Sequence, residues 1–429
     1  MGAATILIVF LGCVFASVPI GFSIGLSVVA YALSTGSINM GYIASGLFAS
    51  CDSFPLMAIP FFILSGALME GGGLSKRLVL FFDSLVGHLT GGLAIVTVVT
   101  CMFFGAISGS GPATTAAVGA IMVPTMVEKG YDKKFAMALV AAAGCLGVII
   151  PPSIPMVSYG ISVNASIATM FMGGFLPGIV LGTLLIITAV TVCRKNGFTG
   201  NGEAFSWKKV KASFKDAFWA ILSPVIILGG IYSGLFTPTE AAVVSVVYAL
   251  FVGLFAYKEL NLKVIYKKFA EAACTHGTVN IIVGTSTILG RVLTLEQIPD
   301  AVAHTMIGLT DNKIVILLII NLLLLGCGCL LETNSSILIL APILYPVVAS
   351  FGVDIVHFGI IIVVNLAIGF ITPPVGVNLF VACGIGNIPF AELVKKIVPF
   401  LCVLLIGLVI ITYVPAVTLA LPRLLGYAG

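Results

Sequence analysis

Apolar positions in this chain do not alternate with polar ones; they run on in long blocks. Stretches almost free of charge fall at about 4–34, 55–69, 91–127, 135–193, 217–257, 277–293, 313–350, 356–386 and 397–421. A helix of roughly 20 apolar residues crosses a hydrocarbon core, so blocks near twice that length predict paired helices. The lack of a period-2 pattern argues against a β-barrel, and backbone in lipid must satisfy its own hydrogen bonds. Two stretches read as aqueous. One, 194–216, carries Arg194, Lys195, Lys208, Lys209, Lys211 and Lys215 around Trp207; the other, 258–271, carries Lys258, Lys263, Lys267 and Lys268. Basic residues concentrate on the cytoplasmic side of membrane proteins, which places both stretches there, with anionic-lipid anchoring as their ordinary role.

Composition confirms the class. Of 429 residues, 60% are hydrophobic and 8% charged, too few charges to cover a water-facing surface. A soluble enzyme is excluded, and the apolar content could supply about 12 to 15 helical spans. The net charge of +4, from 20 basic and 16 acidic residues, is too small and dispersed to suggest nucleic acid. Cys13, Cys101, Cys145, Cys193, Cys327, Cys329, Cys383 and Cys402 lie in apolar runs and read as small buried hydrophobes. Cys327 and Cys329 form neither a CxxC pair nor a zinc knuckle. The segment from Met1 to Val18 lacks a basic start and a cleavage pattern, so it reads as a first membrane segment.

The chain contains an internal repeat. At a constant offset of 222, Pro124 matches Pro346, Gly130 matches Gly352, Asp132 matches Asp354 and Gly147 matches Gly369. Pro151 and Pro152 likewise match Pro373 and Pro374, and Pro177 matches Pro399. These are mostly the residues that fix backbone shape. The charges orient the copies. The link 127–135 carries Lys129, Lys133 and Lys134, whereas its twin 349–357 carries no Lys or Arg. One link faces the cytoplasm and the other faces away, an inverted-topology arrangement typical of secondary transporters. The predicted fold is an all-α polytopic membrane protein of two inverted repeats. Its expected divisions are 1–87 (first-repeat scaffold helices and interfacial linker), 88–193 (hairpin, broken helix and return helix), 194–216 (basic connector), 217–309 (second scaffold) and 310–429 (second hairpin, broken helix and C-terminal helix).

Each copy holds two segments that cannot continue as plain helix. GAISGSGPATT (Gly105–Thr115) and GCGCLLETNSS (Gly326–Ser336) predict tips of re-entrant hairpins. GVIIPPSIP (Gly147–Pro155) and GFITPPVGVN (Gly369–Asn378) place proline pairs inside spans, which removes backbone donors and breaks the helices in mid-membrane. Freed carbonyls beside hydroxyls suit a hard cation such as sodium, and helix starts aimed inward suit a carboxylate. One break alone is more often a packing kink, but four at symmetric positions predict a transporter of organic anions with Na+.

Ser108, Ser110, Ser153, Thr333, Asn334, Ser335 and Thr372 can offer polar groups to substrate or ion, or can back-bond within their helices. Glu332, an acid in an apolar run, is either a functional carboxylate or a capping, cavity-facing hydrogen-bonding residue. Asp52 and Arg291 are expected at interfaces. His88, His276, His304 and His357 fall near span ends without clustering, so no proton relay is supported. GxxxxGK[ST], HExxH and a GxSxG in strand-turn-helix setting are missing. An ion channel and an intramembrane enzyme using Glu332 remain the rival readings of the residues.

The segments GAISGSGPATTAAVGAIMVP, GVIIPPSIPMVSYG, GRVLTLEQIP, ETNSSILILAPILYPV and ITPPVGVNLFVACG closely resemble the large membrane subunit of TRAP (tripartite ATP-independent periplasmic) transporters over essentially the whole chain. That resemblance implies a bacterial inner-membrane, sodium-driven importer of organic acids with an elevator-type mechanism. It also implies two partners: a small four-helix membrane subunit and a soluble periplasmic substrate-binding protein. Its ion sites map onto Ser108, Ser110 and Gly147 to Pro151, Val148 included, in one half. In the other they map onto Gly328, Glu332, Thr333, Gly369, Thr372 and Val375. Dicarboxylate members often carry Asp-Pro-Thr at the second tip, where this sequence has Glu332-Thr333-Asn334. The resemblance therefore favours a sialic acid as cargo, ahead of a C4-dicarboxylate.

Overall fold

A computed structural model describes residues 2–427 except 203, 299–300, 303–307, 309 and 311. All regular elements among them are helical. The first half contains α1 (Gly2–Phe15), α2 (Ile20–Thr35), α3 (Met40–Cys51), α4 (Ala58–Gly71) and α5 (Leu74–Val86). The hairpin α6–α7 (Gly92–Ser108 and Gly111–Glu128), the broken helix α8–α9 (Lys133–Gly144 and Ile154–Val163) and the return helix α10 (Ile167–Lys195) follow. The second half opens with α11 (Trp207–Tyr232), α12 (Pro238–Phe251) and α13 (Leu262–Leu295). It continues with the hairpin α14–α15 (Lys313–Gly328 and Thr333–Ser350), the broken helix α16–α17 (Ile355–Gly369 and Val377–Gly386), α18 (Phe390–Tyr413) and α19 (Ala416–Leu424).

The repeat reaches down to the caps. Asp132 caps α8 by accepting from the Lys134 amide, and Asp354 caps α16 by accepting from Val356. Ser110 and Glu332, also 222 apart, cap the second arms of the two hairpins. An oxygen-bearing side chain at these positions satisfies amides that a helix start leaves without partners.

Seven helices among the described residues are long and apolar enough to span a membrane, fewer than the apolar content allows. Much of that content lies in hairpin arms and half-helices of 10–17 residues, such as Ile154–Val163 and Val377–Gly386, which stop short of a full crossing. The stretch 258–271 is aqueous in composition, yet from Leu262 it forms the first turns of α13. His276 thus sits well inside a 34-residue helix, away from its ends. His304 lies outside the described residues, and His357 is buried against Thr412 and Thr418. Asp52 caps the end of α3 and Arg291 is exposed near the end of α13. Of the eight cysteines expected inside, Cys101, Cys145 and Cys193 are buried, Cys402 is exposed and the others are intermediate. An exposed cysteine on a spanning helix is as compatible with lipid as with a protein core.

The first halves of the broken helices form the centre. Every residue from Phe135 to Gly144 and from Val356 to Gly369 is buried. Small residues such as Ala138, Ala141, Ala142 and Ala143 let neighbouring helices close on α8, as small side chains do in membrane bundles. Both breaks are thereby held in the protein interior, where irregular backbone can be tolerated.

Candidate functional site

At the first tip, α6 ends on Gly109 in a left-handed conformation (φ 60°), and Ser110 turns the chain into α7. Ser108 Oγ lies 3.0 Å from Thr114 Oγ1, which donates to the Ser110 carbonyl at 2.8 Å. Ser108 Oγ is 3.4 Å from the same carbonyl. Three oxygens thus form a small triangle. Gly147, in the first break, faces it: a Cβ there would stand 2.8 Å from the Ser110 carbonyl oxygen and overlap the Thr114 hydroxyl. A Cβ on Gly105 would stand 2.6 Å from Gly147 Cα. Only paired glycines let hairpin backbone and break backbone approach so closely.

The second half repeats the contact. A side chain on Gly369 would overlap the Gly328 carbonyl. Glu332 Oε2 accepts from the Ser335 amide at 2.9 Å and from the Ser335 hydroxyl at 3.2 Å, while Oε1 accepts from Asn334 Nδ2 at 2.8 Å. Ser336 donates to the Glu332 carbonyl at 3.0 Å, one turn on, as Thr114 does to Ser110.

Both tips and both breaks converge on one cavity of about 540 Å³. Ser108, Ser110, Val148, Glu332, Thr333 and Asn334 line it from one side, with Phe370 and Val377 from the second break. α4 and α13 complete the wall, through Gly66, Thr275 and Thr278 among others. Two of its lining acids are paired: Lys268 joins Glu70 at 3.0 Å and Glu271 at 3.2 Å.

Not every expected residue reaches this space. Ser153 is fully buried; its hydroxyl donates to the Val148 carbonyl at 2.5 Å and caps α9 through the Met156 amide. It closes the first break and is absent from the cavity wall. Pro151 is buried inside that break. Thr372 donates back to the Ile368 carbonyl at 2.8 Å, and Val375 is 38% exposed. Neither lines the cavity, which the second break meets through Phe370, while Pro374 and Val375 are exposed. Three residues escaped the sequence reading. Thr114 carried a usable signal, four residues beyond Ser110 on the same helix face. Ser158 donates to Asn334 across the repeats at 3.1 Å. Asn378 donates to the Ala141 carbonyl at 3.1 Å, likewise across the repeats.

Hydroxyls and carbonyls beside broken helices thus surround a polar-tipped cavity inside the helical bundle. A family model described as the tripartite ATP-independent periplasmic transporter, DctM component, matches residues 7–417. The chain belongs to this family. It is a multi-pass inner-membrane transporter permease and not an enzyme, and the same membership sets aside the channel reading.

Curated relatives of this DctM-family chain agree. It is 49% identical over 400 residues to the isethionate TRAP transporter permease protein DctMQ of Oleidesulfovibrio alaskensis, covering 93% of this chain and 63% of that protein. It is 43% identical to the C4-dicarboxylate TRAP transporter large permease protein DctM of Pseudomonas aeruginosa, covering 94% of each. It is 39% identical to the sialic acid TRAP transporter large permease protein SiaM of Vibrio cholerae, covering 97% and 98%. Among solved structures, the Alcanivorax borkumensis YdaH transporter, described as having an unusual topology, shares the fold with a TM-score of 0.62. That match has 14% identity and covers 86% of each chain.

Proposed function

We propose that this permease is the large subunit of a sodium-driven importer that moves an organic acid anion across the inner membrane. The observation that carries the proposal is the meeting of two hairpin tips and two helix breaks at one cavity. One sodium ion, as co-transported cargo, would take oxygens from Ser108, Ser110 and the Gly147–Val148–Pro151 break, with Thr114 added. Oxygen partners of a hard cation of this size stand about 2.3–2.6 Å from it, and the triangle of oxygens at the first tip is compact enough to contribute three. The second ion would lie with Gly328, Thr333, Gly369, Thr372 and Val375. That set is less assembled, because Thr372 and Val375 stand off the cavity. The substrate would meet Ser108, Ser110, Glu332, Thr333 and Asn334.

Ions bound between tip and break bind an assembled tip better than a splayed one, so they shift the population toward it and complete the substrate pocket. Hairpins and broken helices, within 88–193 and 310–429, would then move as a rigid unit against the scaffold of 1–87 and 217–309. The cavity reaches Glu70 and Glu271, beside the basic residues read as cytoplasmic, which supports an inward-facing arrangement. A small four-helix membrane subunit would join the scaffold, and a periplasmic binding protein would deliver cargo. A sialic acid is the favoured cargo from the Glu332-Thr333-Asn334 tip, with a C4-dicarboxylate next; the relatives are named for both and for isethionate.

The test is uptake into proteoliposomes holding this chain and its small subunit, with binding protein outside. Saturable uptake that needs both an inward sodium gradient and the binding protein is expected. Conductance without the binding protein would overturn the proposal.

A further inference from the structure

A second cavity, of about 510 Å³, lies between α2, α3 and α13, and the exposed side chains Phe22, Leu26 and Phe48 are among its lining. Its walls are apolar except at Cys51, Asn280 and Thr285, and the Thr285 hydroxyl already donates to the Ile281 carbonyl at 2.9 Å. Where α3 crosses α13, a Cβ added to Gly46 would overlap Ile288 of the groove wall and stand 3.6 Å from Arg291 Nη1. Arg291 is exposed just beyond Ile288 and forms no ion pair among the described residues. Glu296, the acid nearest to it in sequence, is engaged by the Tyr31 hydroxyl. We propose that this groove holds an acyl chain of an anionic phospholipid whose phosphate sits on Arg291.

Depth, charge and packing support this occupant. At about 1.5 Å per residue, Lys268 and Arg291 lie about 35 Å apart along α13, close to the ~30 Å of a hydrocarbon core. They mark opposite headgroup levels, so the site is separate from the lysine-rich start of that helix. The groove residues Asn280 to Ile288 fall about 5–17 Å from Arg291 along the axis, the depth of one leaflet's chains. A guanidinium without a carboxylate suits a phosphate, which it can hold through two parallel hydrogen bonds. An apolar slot ending in a cation therefore matches an amphiphile, whereas an apolar helix face would fill the slot and leave the charge unmet. Nor is the small-residue stripe of α2 open to another helix. A Cβ on Gly21 would stand 2.9 Å from Ile281 and one on Gly25 3.2 Å from Thr285, so that stripe already seats α2 on α13. The lipid would steady the part of the scaffold that has its own core, around Ile24, Val28, Ile288 and Val292, apart from the main one.

Tryptophan quenching by lipids brominated at mid-chain tests this in the full-length protein, alone and with its small subunit, in phosphatidylethanolamine vesicles. The two native tryptophans, Trp207 and Trp219, are replaced by Phe. Leu26→Trp reports from the groove, and Val225→Trp, exposed on the spanning helix α11, reports on bulk lipid. Brominated phosphatidylglycerol should act on Leu26→Trp with an apparent affinity about fivefold above brominated phosphatidylcholine, the worth of one basic residue at a headgroup. Val225→Trp should not distinguish the two lipids. Adding Arg291→Gln should bring the ratio at Leu26→Trp to about one, and Arg291→Lys, which keeps the charge, should preserve it. A ratio near one with Arg291 in place would overturn the proposal, as would a ratio unchanged in Arg291→Gln. Loss of quenching by both lipids once the small subunit is bound would overturn it too, because the groove would then belong to a protein segment.

Discussion

Ser158, in the half-helix after the first break, donates to Asn334 at the second hairpin tip across 3.1 Å and 176 residues of sequence. Asn334 passes the contact to Glu332 through its amide nitrogen, so one repeat's break holds the other repeat's tip in place. Ser158→Ala should cost about 1 kcal/mol, lowering the unfolding midpoint by roughly 2 °C. Uptake should fall further than the amount of protein in the membrane. A variant with wild-type midpoint and wild-type uptake would remove Ser158 from the site.

Thr114 makes the shortest contacts of the triangle at the first tip, 3.0 Å to Ser108 Oγ and 2.8 Å to the Ser110 carbonyl. Hydrogen bonds and contacts to a charged partner are worth about 1.5–3 kcal/mol. Thr114→Val, which keeps the shape and deletes the hydroxyl, should therefore raise half-saturating sodium by about tenfold or more. Thr114→Ser should stay near wild type. Sodium titration of uptake decides it, and an unchanged half-saturation point in Thr114→Val would take the triangle out of the ion path.

How much of this was legible without coordinates follows from which residues report on backbone alone. Gly147, Pro151, Pro152 and their partners at 369, 373 and 374 mark the breaks, because proline fixes φ and removes a donor while glycine frees the backbone and permits close approach. Asp132 and Asp354 likewise prove to be caps. Contacts between repeats leave no such mark. Asn378 reaches the Ala141 carbonyl over 237 residues, and nothing near either residue announces the pairing. Ser153 is ambiguous for a related reason: a serine at a break serves the break's own carbonyl, here that of Val148, as readily as a ligand. The unbroken α13 was also hidden, since its first turns are polar and hydropathy reads polarity, not helicity.

Gly369 and Gly326 lie near the same hairpin end with opposite surroundings. A side chain on Gly369 would overlap the Gly328 backbone, whereas one on Gly326 meets nothing within 4 Å. Gly369→Ala must push α14 from α16 and should cost about 1–3 kcal/mol by overpacking, seen as lower abundance and a lower unfolding midpoint. Gly326→Ala, in a helix interior, should be neutral or slightly stabilising. Equal behaviour of the two variants would contradict the close backbone contact at the second break.

Glu128 and Ser350 occupy equivalent places, 222 residues apart, at the far ends of the second hairpin arms, and both are exposed. If the repeats are inverted, these positions lie on opposite sides of the membrane. Lysines crowd the first link and none occurs in the second, so the first should face the cytoplasm. In a background with the ten native cysteines replaced, Glu128→Cys should react with a membrane-impermeant maleimide only when the cytoplasmic face is opened. Ser350→Cys should react in intact spheroplasts. Exposed ends at a membrane surface tolerate such changes with little loss of stability, so the labelling pattern reports sidedness and not misfolding. Labelling of both from one side would mean that the copies run parallel. The two breaks would then present their helix starts from the same direction, and the pairing of each tip with a break across one shared cavity would need a different topology.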